Sequence, residues 1–273
     1  MKTIKILLSA SIISLSLASV AAGAHTMKAH TQLEQAVASE HRSAANKKRD
    51  EYRNPQQTLE FFGLKSTMTV VEITPGGGWY TEILAPTLKG KGKLIGAHYP
   101  DTGEDNYYSN SRKKLEKKLA SHDMFSDVVL SNFVPKKSSE LAPAGTADMV
   151  LTFRNLHNWG EEGVSQVFLD AFKALKTGGI LGVVEHRLPK GATPNDNNRG
   201  YVSMETTITQ AEAAGFTLVS SSEVNANAKD KANYEKGVWT LPPVLGLGDK
   251  DKEKYLAIGE SDRMTLKFAK VAK

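Results

Sequence analysis

The chain contains no cysteine. Disulfides, thiolate metal sites, iron–sulfur clusters and a thiol nucleophile are therefore excluded. Beyond the first two dozen residues no hydrophobic run is long enough to span a bilayer, which takes about 20 apolar residues. There is no internal repeat and no low-complexity tract. No Gly-x-Ser-x-Gly elbow occurs, which excludes an α/β-hydrolase. No Gly-x-Gly-x-x-Gly run occurs, which disfavours a nicotinamide dinucleotide. His25, His30, His41 and His122 show no paired ligand spacing, so no metal site is expected. Charge of one sign is also scarce. The 35 Lys+Arg exceed the 30 Asp+Glu by a formal +5 over 273 residues. A pI near 9.1 permits an acidic partner, but so mild an excess reads as a solvated basic surface rather than a nucleic-acid stripe.

What is present is ordinary for a globular protein, with 40% hydrophobic and 24% charged residues. Collagen-like, coiled-coil and wholly disordered readings fail on that composition. The length suits one large or two small domains.

Residues 1–24 read as a secretory leader. Lys2 and Lys5 supply the positive start, Ile6 to Val20 the apolar stretch, and Ala22-Gly23-Ala24 a small-x-small cleavage site. The run is short and rich in Ser, which argues against a stable membrane anchor. Cleavage after Ala24 is expected, with the mature protein exported to the periplasm. Loss of Lys2 and Lys5 lowers the net charge from +5 to +3, which weakens a nucleic-acid partner further.

Residues 25–62 read as an N-terminal helical extension, with a strongly charged run from His41 to Arg53. From residue 63 to 273 short apolar runs alternate with amphipathic ones. Strands are expected at Val70–Ile73, Lys93–Ala97, Asp127–Leu130, Asp148–Phe153, Ile180–Glu185, Phe216–Val219 and Thr265–Phe268. Near-continuous apolar strands suit a sheet covered on both faces. Val164, Val167, Phe168, Ala171, Phe172 and Leu175 form a helical stripe, which Thr177-Gly178-Gly179 is expected to end. Arg112–Ser121 and Ser203–Ala214 read as further helices, the latter stopped by Gly215. Strand–helix alternation predicts an α/β fold: a doubly wound, Rossmann-like, seven-stranded and mostly parallel sheet preceded by N-terminal helices. A long connection at 225–263 interrupts it, and a loop of that length is functional or disordered. Trp239 and Leu241 are expected to anchor it, and Asp249–Lys254 to be solvated.

The most informative stretch is Val70-Val71-Glu72-Ile73-Thr74-Pro75-Gly76-Gly77-Gly78-Trp79-Tyr80. A strand carrying an acid leads into a glycine turn and then an apparent helix. Such a turn lets a ligand approach the backbone, and the helix N-terminus offers unpaired N–H donors. A tight turn with nothing bound remains the plain alternative.

This segment resembles motif I of the class I S-adenosylmethionine-dependent methyltransferases. The resemblance spans residues 55 to 271 and is nearest to a bacterial group of exported predicted methyltransferases with a Pro-Gly-Gly-Gly-Trp-Tyr motif. Phe172–Ile180, Ala213-Ala214-Gly215-Phe216 and Ser261–Phe268 resemble later landmarks of the same superfamily. The resemblance implies S-adenosylmethionine as cofactor. Glu72 takes the acid position, Gly76 and Gly78 match the second and third glycines, and Gly77 and Trp79 complete the turn. Gly78 is where the backbone is expected to approach the cofactor. Thr74 stands in place of the first glycine. His98 stands where an acid normally meets the ribose, with Asp101 three residues on as the alternative. Asn132 stands where the adenine amino group would be met. Arg154 leaves the fourth strand beside this site.

Methyl transfer requires alignment of the acceptor and, for a protonated nucleophile, a base. Ligands of such sheets sit at the carboxyl ends of the strands. There the sequence places Arg154-Asn155-Leu156-His157-Asn158-Trp159 and Glu185-His186-Arg187. His157 is the candidate base, since its reference pKa lies near neutral, and Glu185 the group that orients it. The alternative is that His157 caps a helix and Glu185 pairs with an arginine. The Asn/Asp-Pro-Pro-Tyr/Phe motif of amino-methylating DNA enzymes is absent. The sequence therefore points to a methyltransferase for a small-molecule acceptor. Because the cofactor is made in the cytosol, an exported non-catalytic ligand-binding protein on the same scaffold is the competing reading.

Overall fold

The computed structural model describes residues 32–272; the leader at 1–24 lies outside them. Seven strands form one sheet: β1 (Thr69–Ile73), β2 (Lys93–His98), β3 (Val129–Asn132), β4 (Ala147–Phe153), β5 (Leu175–His186), β6 (Thr217–Ser222) and β7 (Arg263–Ala269). Their order across the sheet is β3-β2-β1-β4-β5-β7-β6. The first five pair in parallel, and β7 runs antiparallel to both β5 and β6.

The apolar strands are explained by burial on both faces. Val71, Ile73, Val150 and Val183 face one core, while the alternate Val70, Met149, Leu151 and Val184 face the other. A period of two along each strand divides its side chains in this way. The first core is closed by α7 (Leu156–Ala174) and α8 (Met204–Ala213). The second is closed by α4 (Pro55–Phe62), α5 (Thr81–Leu88) and a short helix α1 at 32–38. Two single-turn helices, α2 (Ala44–Lys47) and α3 (Asp50–Arg53), lie between α1 and α4. The basic helix α6 (Tyr107–Leu119) follows β2. Among the described residues no helix is long and apolar enough to cross a membrane.

Two local expectations change. The stripe through Val164 does form α7, but the helix ends at Ala174, and Leu175 already has the extended φ −73° and ψ 142°. Leu175 pairs with Ala147 of β4, so tertiary pairing ends the helix before the glycines. The last carbonyls need no glycine cap. Gly145 and Thr146 N–H groups donate to Lys173 and Ala174, and Lys270 Nζ donates to Phe172 and Leu175. Gly178, at φ +80°, sits inside β5 instead.

The connection at 225–263 is an ordered segment with its own small core. Tyr234, Val238, Leu241 and Tyr255 pack with Leu188 and Tyr201, and α9 (Lys252–Ile258) lies within it. Leu241 is fully buried, as an anchor should be. Trp239 is 37% exposed and serves elsewhere.

The N-terminal layer packs closely on the sheet at Gly182. A Cβ at Gly182 of β5 would stand 2.7 Å from Leu151 Cδ2 and 3.0 Å from the Phe62 ring. Gly182→Ala should therefore destabilise the protein by about 1–3 kcal/mol through overpacking. Phe62→Leu in the same chain should recover part of that loss, as read from denaturant midpoints at constant m-value.

Candidate functional site

The carboxyl end of β1 begins the site. Glu72 is buried within the strand, and Thr81 Oγ1 at the start of α5 donates to its Oε2 at 2.6 Å. Burial raises the Glu72 pKa to about 7, against the Thr81 hydrogen bond and the charges of Lys118 and Arg154, which act downward. The chain then leaves the sheet at Thr74, whose φ is +49°. A β-branched residue rarely adopts that conformation, so the backbone keeps the shape a glycine would take although the residue is Thr. Thr74 Oγ1 is buried with no hydrogen-bond partner. A Cβ at Gly76 or Gly77 would meet nothing within 4 Å. The turn is thus an open cradle holding an orphaned hydroxyl.

Gly78 has a packing role as well. At φ +79°, its missing Cβ faces Leu115 Cδ1 and Lys118 Cδ of α6, each at 3.0 Å. The absence of a side chain here permits α6 to pack against the turn. Trp79 is packed into the N-terminal layer. Its Nε1 donates to Asn46 O at 3.2 Å, and the guanidinium carbons of Arg53 and Arg42 stand 4.4 and 5.1 Å from its ring.

Helix α6 reaches three of the other expected cofactor positions, His98, Asn132 and Asp101. His98 is fully buried; its Nε2 lies 3.3 Å from Ser111 Oγ and its Nδ1 3.2 Å from Tyr99 O. Burial lowers its pKa, which holds it neutral. Asn132 is exposed, and its Oδ1 accepts from Arg112 Nη1 at 3.4 Å. Asp101 accepts from Gly103 N in an exposed loop and lies 3.6 Å from Lys113 Nζ.

The ends of β4 and β5 form a second corner. Asn155 Nδ2 donates to Ile73 O at 3.1 Å, joining it to the end of β1. Glu185 is fully buried. Its Oε2 accepts Leu156 N at 2.6 Å, at the first turn of α7. Its Oε1 accepts His186 N at 2.8 Å and lies 3.0 Å from His157 Nδ1. The carboxylate accepts, so His157 Nδ1 carries the proton and Nε2 is the free nitrogen. Glu185 itself is the helix cap, and it pairs with a histidine rather than an arginine. Arg187, adjacent in sequence, is held outside this corner by Glu223 and Asp262.

Two neighbours were not among the expected site residues. His186 packs 5.2 Å from the His157 ring, and burial with the charges of His157 and nearby arginines keeps it neutral. Its place beside Glu185 was the available signal. Trp239, from the distant 225–263 segment, stands 5.9 Å from the His157 ring; nothing in the sequence joins the two. Among the described residues, His157, Glu185 and His186 also form a grouping whose ligand atoms lie within 4.8 Å of one another. Both Glu185 oxygens are already occupied by N–H donors, and arginine charges act on His186. That setting suits a histidine held for proton transfer better than a cation.

No protein-family model matches the chain, and no curated protein matches it in sequence. Solved structures do match in fold. A SAM-dependent methyltransferase from Aquifex aeolicus superposes with a TM-score of 0.55 at 16% identity, over 82% of this chain and 93% of that one. A geranyl diphosphate methyltransferase in complex with SAM gives 0.55 at 12% identity, over 81% and 85%. The [4+2]-cyclase SpnF gives 0.59 at 14% identity, over 92% and 96%. The fold is thus that of SAM-dependent methyltransferases, and the cyclase shows that proteins of this fold carry other reactions.

Glu72 supplies a stability test. Its folded pKa of about 7 exceeds the ordinary 4.5, so the native state binds the proton more tightly than the unfolded chain. The destabilisation is absent below about pH 4.5, grows as pH rises, and is complete above about pH 7. Glu72→Gln, which still accepts from Thr81, should raise the Tm by several degrees at pH 8.5 and very little at pH 5. An equal shift at both pH values would show that Glu72 is not held protonated.

Proposed function

We propose that this chain is an S-adenosylmethionine-dependent methyltransferase acting on a small-molecule acceptor. The observation that carries the reading is the open cradle at the end of β1, where buried Thr74 Oγ1 lacks a partner beside Glu72. Glu72, Thr74, Gly76 and Gly77 would hold the methionine end of the cofactor, with Gly78 setting the turn against α6. His98 and Asp101 are assigned to the ribose and Asn132 to the adenine. Arg154 borders the cradle, and Trp79 supports it from behind. When bound, the cofactor supplies an electrophilic methyl group on a sulfonium. The chain's own part is to orient the acceptor and move its proton. His157 takes that proton at Nε2, while Glu185 holds Nδ1–H and stabilises the imidazolium.

Two further assignments rest on sequence alone. The leader-like segment 1–24 supports export to the periplasm with a mature chain beginning at His25. Pro75-Gly76-Gly77-Gly78-Trp79-Tyr80 supports the exported methyltransferase group.

A second reading is favoured by one observation. His98 and Asn132 are already bonded within the chain, to Ser111 and Arg112. On that basis the protein would be an exported binding protein that uses the scaffold without catalysis.

Calorimetry of the protein with S-adenosylmethionine tests the first reading. We expect saturable binding, and at least a tenfold loss in Gly77→Val with little change in Tm, because a Cβ there meets no protein atom. Absence of binding in the wild type would overturn the transferase.

For a hydroxyl acceptor, His157→Ala should lower turnover by about 10²–10⁴-fold and leave cofactor affinity nearly unchanged. Turnover unaffected by the change would remove His157 as the base.

A further inference from the structure

Next to the His157 corner the structure buries more positive charge than it neutralises. Arg53 and Arg263 are 3% and 2% exposed, and Arg154 is partly buried. Arg53 and Arg263, with Arg49, surround one buried carboxylate, Glu260. Arg49 Nε lies 2.5 Å from Glu260 Oε1, Arg263 Nη2 donates to Oε2, and Arg53 Nε stands 3.6 Å from Oε2. Against the cost of burial, which acts upward, Arg263, Arg49 and Arg53 pull the Glu260 pKa down to about 2.

Arg263 Nη1 donates to Tyr52 O, but three guanidinium nitrogens make no hydrogen bond. Arg53 Nε and Nη1 and Arg263 Nε are buried with no hydrogen-bond partner. The Arg154 side chain makes no hydrogen bond or ion pair among the described residues, and its backbone sits at φ +61°. Such strain in a non-glycine residue collects at functional sites. Burial and then Arg263 lower the Arg154 pKa to about 10, and Arg154 in turn acts on Arg53. Even an ionised Glu72 leaves the positive charges in the majority. Burying unpaired charge is costly, so the arrangement is built for something that arrives.

On the transferase reading, that arrival is not the cofactor alone. Its carboxylate can meet one guanidinium, but its sulfonium and ammonium make it a net cation. The missing negative charge then falls to the acceptor. We propose that Arg53, Arg154 and Arg263 form an anion pocket beside His157 and Glu185, and that the pocket takes a carboxylate or phosphate group carried by the methyl acceptor. Guanidinium groups bind both oxyanions through paired N–H donors. Held there, the acceptor's nucleophile lies beside the His157 corner.

The test uses the ligand-free protein, with inorganic phosphate and succinate as probes at ionic strength fixed with chloride. Each is titrated by calorimetry and by Tm. We expect saturable binding of at least one probe, and the tighter one identifies the group. Arg154→Met should weaken that binding at least tenfold and raise the Tm of the anion-free protein, since it removes a repelled charge; Arg154→Lys should retain binding. The Met variant also controls for the general stabilisation that phosphate gives any protein. Equal anion responses in wild type and Arg154→Met would overturn the pocket. A third titration is made in saturating S-adenosylhomocysteine. Anion binding that persists supports the acceptor assignment, and anion binding that is abolished gives the arginines to the cofactor carboxylate and overturns it. Anion binding without any cofactor binding would refute the transferase and leave the pocket standing.

Discussion

One buried carboxylate, Glu260, holds the N-terminal layer to the far end of the sheet. It ties Arg49 and Arg53, from the α2–α4 region, to Arg263 at the start of β7, 210 residues away in the sequence. The Arg263 Nη1 bond to Tyr52 O strengthens the same link. Removing one partner of such a cluster leaves its neighbours buried and unpaired, which is the strongly destabilising case. The geometry of the site follows from this closure. Arg53 is set over Trp79, Trp79 stacks edge-on against Tyr80, and Tyr80 lies on Phe153 at the end of β4. A single ion cluster thereby fixes the glycine turn relative to the strand that carries Arg154.

Glu185 does for the His157 corner what Glu260 does for the layer. One carboxylate receives the first turn of α7, the backbone of β5 and the His157 imidazole. Its cost of burial is met by N–H donors and by the positive end of the helix. The same bonds that stabilise the fold also fix the tautomer of His157. A structural role and an orienting role are therefore not alternatives at this position.

Helix α6 gives the cradle its present shape. Leu115 and Lys118 pack where a Gly78 side chain would be, Ser111 meets His98, and Arg112 meets Asn132. These contacts fall together on the glycine turn and on His98 and Asn132, the positions proposed for the ribose and the adenine. Any ligand that used all three would exchange contacts with one helix, which couples its binding to the packing of α6.

The sequence by itself determined the sheet. Strands such as Val70–Ile73 and Asp148–Phe153 announce themselves because both faces are buried and the apolar run is continuous. The glycine turn was equally legible, since its chemistry is local to a few consecutive residues. The sequence also marked His157 and Glu185, because both sit at strand ends where the fold collects polar groups. Tertiary structure alone decided the rest. The end of α7 at Ala174 depends on Leu175 pairing with Ala147. The packing of Gly78 depends on Leu115 and Lys118 of α6, and Trp239 meets His157 only because the 225–263 segment folds on its own core. The arginine cluster gathers residues 49, 53 and 263 around Glu260, and Arg154 acts on Arg53 through its charge. Composition reports only their sum, a mild +5; the energetic meaning of a charge lies in which partners it keeps when buried, and chain topology sets those partners.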